Sequence, residues 1–151
     1  MSGILKNFTG LLQSGHLKGL GFQKRYETFS RQHPEFSEHY LIQPTALNRD
    51  GGPWSFHLVT GIGFNNIPSK QKGQLARCHA SMRDQTIETT LINGVPPDPQ
   101  NLPKEVARAA EVILARSEYL RSRYQTLRHS YDRGILHDGF PADPEIDLPE
   151  S

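Results

Sequence analysis

The sequence predicts an α+β fold. Its expected parts are an N-terminal helical region, a small, mainly antiparallel three-stranded sheet, one packing helix, a long heptad-patterned C-terminal helix and a disordered acidic tail. Three observations carry this expectation. Residues 54–65 alternate strictly, with Trp54, Phe56, Leu58, Thr60, Ile62 and Phe64 on one parity, and a period of two marks a strand. Residues 101–133 contain no Gly and only Pro103, near the start, where a helix tolerates it. The last fourteen residues hold five acids, no Lys or Arg and three prolines, a composition that neither continues a helix nor builds a core. Residues 1–137 are therefore expected to form one domain, with residues 138–151 as its tail.

The elements follow in order. Ile4, Leu5, Phe8, Leu11 and Leu12 recur at helical spacing and predict an amphipathic packing helix. Gly10, Gly15, Gly19 and Gly21 weaken it, so a second helix is expected after a break. That helix would use Leu20, Phe22, Tyr26 and Phe29 and stop before His33-Pro34. Residues 38–47 read as an edge or bulged strand, because Pro44 removes a ladder donor. The run Asn48-Arg49-Asp50-Gly51-Gly52-Pro53 is a turn, and the alternating strand that follows completes a hairpin. One face of that strand is expected to be buried and the other lighter. Pro68-Ser69 then opens a helix with Leu75, Cys78, His79 and Met82 on its apolar side. Residues 86–92, rich in β-branched side chains, form the third strand.

The C-terminal helix, over about residues 102–133, carries the strongest pattern. Val106, Ala110, Ile113, Ser117, Leu120, Tyr124, Leu127 and Tyr131 are spaced alternately four and three apart, an unbroken heptad seam. At ~1.5 Å per residue such a helix is about 45 Å long and is expected to project beyond its own body. Gly134 is a natural stop.

Charge is distributed unevenly. All 17 Lys and Arg lie before residue 138, so residues 1–137 carry +6 and the tail −5. Two basic groups stand out. Lys70, Lys72, Arg77 and Arg83 occupy residues 69–83 without an acid, and Arg121, Arg123 and Arg128 lie on the long helix with tyrosines interleaved. Such residues can grip phosphates and stack bases. Residues 1–26 hold Lys6, Lys18, Lys24 and Arg25 and no acid. An acid-poor amphipathic start also suits a mitochondrial presequence, so the expected location is intracellular, in the cytoplasm or the mitochondrion.

No catalytic pattern emerges. The seven histidines include no i, i+4 pair, the spacing of a helical metal site. His39 and His57 could meet across the hairpin, but zinc needs further ligands. Cys78 and His79 are adjacent, so on a helix they point about 100° apart. Gly61-Ile62-Gly63-Phe64-Asn65-Asn66 lacks the third glycine of a dinucleotide fingerprint and suits a bulge or close sheet packing. One cysteine excludes an internal disulfide. No apolar run approaches the ~18 residues of a membrane span.

The expected function is a non-catalytic structural or assembly protein, without cofactor or metal. It would oligomerise or dock into a larger complex through the seam Val106, Ala110, Ile113, Leu120, Tyr124, Leu127 and Tyr131. The alternative is an RNA- or DNA-binding protein using Lys70, Lys72, Arg77, Arg83, Arg121, Arg123 and Arg128.

Overall fold

Both periodicities resolve into the elements they imply. The computed structural model describes residues 2–44, 53–68, 75, 77–92 and 101–136. Helix α1 (Ser2–Leu12) widens into a π-helical turn at Gln13–Leu17 and then tightens into a 3-10 turn at Lys18–Leu20. Gly21 ends it with φ at +91°. Five strands follow, β1 (Gln23–Arg25), β2 (Thr28–Gln32), β3 (Phe36–Pro44), β4 (Pro53–Phe64) and β5 (Ala80–Ile92). Each pairs antiparallel with the next, in the order β1-β2-β3-β4-β5. Helix α2 spans Asn101–Asp132.

Expected as an edge or bulged strand, β3 is instead the central strand, paired on both sides without a register shift and ending at Pro44, and two element assignments are also corrected. The sheet has five strands rather than three, because the second N-terminal helix is instead the β1–β2 hairpin. Left-handed backbone at Gly21 and at Tyr26 (φ +55°) interrupts any helix there. Phe22 and Phe29 still reach the core, whereas Tyr26 at the hairpin turn is 71 % exposed. The second correction concerns the packing helix. Of its span, residues 69–74 and 76 lie outside the described residues, and 80–83 are the start of β5. Ala80 and Met82 are buried with Ser81 between them less so, a period of two.

The β3–β4 register decides what each face holds. Phe36↔Phe64, Glu38↔Ile62, Tyr40↔Thr60 and Ile42↔Leu58 share one face. The two helices lie on it: Phe8 of α1 meets Phe56 at 5.1 Å, and Tyr124 of α2 stacks on Phe36 at 4.7 Å. As expected, Phe56, Leu58, Ile62 and Phe64 are buried and His57 is less so. The Trp54 side chain lies outside the description.

The other face of β4 is not light. Val59, Gly61 and Gly63 are buried there, because the chain around Leu75–Cys78 crosses over them. A Cβ on Gly61 would lie 2.4 Å from Cys78 Sγ, and one on Gly63 2.2 Å from the Arg77 carbonyl oxygen. Those glycines therefore serve close packing.

The heptad seam faces the chain's own sheet. Val106, Ala110, Ile113, Ser117, Leu120 and Leu127 are buried, and Tyr124 and Tyr131 pack against the same core. Burial from Val106 to Ser130 means that α2 lies along the body for most of its length and does not project from it. Gly134, at φ +74°, stops it. The tail 138–151 lies outside the described residues. Among the described residues, no helix is long and apolar enough to cross a membrane.

Candidate functional site

Beneath the middle of α2 sits a buried polar cluster. Glu38 on β3 has no exposed surface, and a buried carboxylate must be paired. Arg31 on β2, its cross-strand partner, donates from Nε at 3.2 Å. The Tyr40 hydroxyl donates at 2.8 Å, and His33 Nε2 contacts the same carboxylate. Arg31 then reaches Ser117 Oγ on α2 at 2.9 Å and the Leu20 carbonyl at 2.9 Å. Burial first, and the Glu38 charge second, hold the Tyr40 phenol well above its ordinary pKa. Two strands and α2 are thereby tied through one carboxylate.

This cluster continues outward as a stack of rings. His33 lies on Phe36 at 4.6 Å, and Phe36 on Tyr124 at 4.7 Å. Tyr124 then forms a wall of a cleft of about 340 Å³ at the C-terminal half of α2. Pro34 and Phe64 complete its apolar lining; Glu35, Asn66, Gln125 and Arg128 supply polar groups. Phe64 is held by Tyr131 at 5.4 Å and by His79 at 5.4 Å.

The walls are pinned rather than loose. Asn65 Nδ2 donates to the His33 and Pro34 carbonyls, and Gln32 Nε2 donates to Asn65 Oδ1 at 2.7 Å. His79 Nδ1 accepts the Phe64 N–H at 2.9 Å, leaving Nε2 to donate to the Ile67 carbonyl at 3.0 Å. A hydrogen bond from Tyr124 to the Glu35 carboxylate raises the tyrosine's pKa. Arg128 gives its Nε to Asp132 at 3.0 and 3.1 Å, and its guanidinium lies over the Phe64 ring at 5.7 Å.

The structure separates the residues expected to act together. Tyr124 and Arg128 meet at the cleft, whereas Val106, Ala110, Ile113, Leu120 and Leu127 are covered by the sheet. Arg121 is exposed and Arg123 half-buried on α2. Arg77 lies in the segment that crosses the opposite face of the sheet, and Arg83 belongs to β5. Lys70 and Lys72 lie outside the described residues. Among the described residues, Arg77 thus lies across the sheet from the α2 arginines rather than in one stripe with them.

Other candidates have structural partners. His39 stands opposite Gly61, and His57 opposite Gln43, so the two histidines are ~13 Å apart along the hairpin at about 3.3 Å per residue and do not meet. His39 Nε2 bonds Ser37 Oγ at 2.7 Å. Burial, with Arg77 nearby, lowers its pKa to about 4, a weak base for catalysis. Burial also pushes the Cys78 thiol up to about 12, while His79 is engaged by backbone groups. Among the described residues, no cluster of three or more His, Cys, Asp or Glu could hold a metal.

Sequence reasoning missed Pro34, Glu35, Asn65, Asn66 and Gln125. Their one local signal is Asn65-Asn66 after a strand, since Asn tolerates the positive φ (+65°) that Asn66 adopts. The chain matches no known protein family, no curated protein and no solved structure.

Proposed function

We propose that this chain is a non-catalytic docking protein. It enters a larger assembly through α2, by holding an extended, proline-bearing segment of a partner in the cleft beside Tyr124. The observation that carries this reading is the wall chemistry. Two aromatic rings and a proline, all fixed by stacking or hydrogen bonds, face a rim that holds a guanidinium and amides. Extended proline-bearing peptides dock in aromatic-lined grooves because they are preformed and lose little entropy on binding. The Arg128 guanidinium adds a place for an acidic neighbour of the proline. The rest of α2 then has a supporting role: its seam fixes the helix to the sheet, and its flank presents the site.

The test pans a displayed peptide library against the whole chain. A parallel panning uses the whole chain with Pro141→Ser and Pro144→Ser, so that its own proline-bearing end does not compete. Proline-and-acid-bearing peptides are expected, with affinity at least tenfold weaker when Arg128→Glu or Gln125→Lys is added. An empty selection against both chains, or selected peptides indifferent to both cleft substitutions, overturns the reading.

A further inference from the structure

We propose that the chain's own segment 138–151 occupies this cleft and competes there with the partner; this rests on the cleft being a peptide-docking site. The segment has the required chemistry. Phe140-Pro141-Ala142-Asp143-Pro144 places an aromatic ring and two prolines around an acid. The segment carries five acids and no Lys or Arg, while on α2 Arg121 and Arg133 are exposed and Arg128 lines the cleft together with Glu35.

The exit of the chain from α2 favours this path. Gly134, with φ at +74°, donates its N–H to the Tyr131 carbonyl at 3.0 Å, and Ile135 donates to the Ser130 carbonyl at 2.9 Å. These bonds end the helix by reversing the chain, and Leu136 then packs against the core. Arg128 lies four residues before the end of α2 at Asp132, about 6 Å along the helix at ~1.5 Å per residue. Four extended residues from Leu136 to Phe140 span about 13 Å, enough to bring the Phe140 ring to the cleft.

A second proline cluster, Pro96-Pro97-Asp98-Pro99, has similar composition. It precedes Asn101, which is ~40 Å from Arg128 along α2 at about 1.5 Å per residue, so proximity selects the tail. Tethering also multiplies the advantage of the tail, because a short linker gives effective concentrations in the ~millimolar range. A cis contact too weak to matter between separate molecules can therefore keep the cleft filled.

The experiment uses a fluorescein-labelled synthetic peptide of residues 138–151 and reads anisotropy. Two whole chains are compared, the parent and Phe140→Ser with Pro144→Ser. The expected result is at least tenfold weaker uptake by the parent, whose cleft is already filled. Adding Arg128→Glu to the substituted chain should reduce its uptake at least tenfold, and a peptide bearing Phe140→Ser should not bind. Equal uptake by the two chains, or uptake by neither, overturns the proposal. If neither takes the peptide while library peptides still bind in an Arg128-dependent way, the docking site stands and only the cis occupant is wrong. If library peptides fail as well, both readings fall together.

Discussion

Gly63→Ala tests the crossing of the Leu75–Cys78 chain over β4. The new methyl carbon would sit 2.2 Å from the Arg77 carbonyl oxygen and 2.8 Å from Ser37 Oγ. Ordinary C···O approaches are ~3.3–3.6 Å, so one group must move by about an ångström. The serine hydroxyl can rotate, but the carbonyl belongs to backbone and takes its whole segment with it. Overpacking costs ~1–3 kcal/mol, and a backbone obstacle places Gly63→Ala near the upper end. Gly61→Ala differs in kind, since its nearest atom is Cys78 Sγ at 2.4 Å. Adding Cys78→Ala removes that sulfur and leaves Cβ at 3.3 Å and Leu75 Cδ2 at 3.6 Å as the nearest atoms. The double variant should therefore be less destabilised than the sum of the single variants, by about 1 kcal/mol or more. Gly10→Ala is the control: nothing lies within 4 Å of its new carbon, and within α1 it should gain ~0.5–1 kcal/mol. Urea unfolding measures all of these, with the midpoint compared at constant slope. A Gly63→Ala midpoint equal to the parent's would refute the crossing.

Further outcomes follow from the same core. His39 remains neutral in the folded chain down to about 4, whereas the unfolded chain takes up its proton near 6.5. Its contribution is therefore complete above pH 6.5 and is lost as pH falls toward 4, by up to ~3 kcal/mol; unfolding midpoints across pH should flatten in this window for His39→Gln. Cys78, with its thiol pushed up to about 12 and buried, should react with a thiol reagent at pH 8 only as fast as the chain opens, and reactivity within seconds in the native chain would contradict its placement. Ile113→Asp with Leu120→Asp should unfold the chain, because both side chains are fully buried and each is worth ~1.5–3 kcal/mol. Arg121→Ala, on the exposed side of α2, should stay within about 0.5 kcal/mol of the parent; circular dichroism on heating separates the two.

The long helix and β4 were legible because their patterns are long and pure. Eight seam positions at heptad spacing and a strand alternating from Trp54 to Phe64 leave little ambiguity. The β1–β2 hairpin was not legible. Phe22 and Phe29 are seven apart, a separation that serves one helix face as well as two paired strands, and only the backbone at Gly21 and Tyr26 distinguishes them. The start of β5 was misread for a related reason. Leu75, Cys78, His79 and Met82 fit a helical stripe, but Cys78 and Met82 cover opposite faces of the same sheet. The heptad seam was visible as a packing surface, yet a one-dimensional pattern does not say whether its partner is another chain or the chain's own sheet. The cleft was hidden altogether, since it joins Pro34, Phe64 and Tyr124 from three distant segments. Phe64, Tyr124 and Arg128 belonged to patterns that sequence could register, but to three unrelated ones.

The Arg31–Glu38 contact also governs how the strands can align. The two residues are direct cross-strand partners in β2 and β3, and Ser117 on α2 completes their hydrogen bonding. If β2 slipped by one residue, Arg31 would turn to the other side of the sheet, because side chains alternate along a strand. Glu38 would then remain under α2 without its guanidinium, and a buried charge deprived of its partner costs ~3–5 kcal/mol. An apolar pair at these positions would tolerate the slip far better. The misaligned hairpin is thus penalised when α2 closes over it, and a single arginine keeps one alignment in preference to its neighbours.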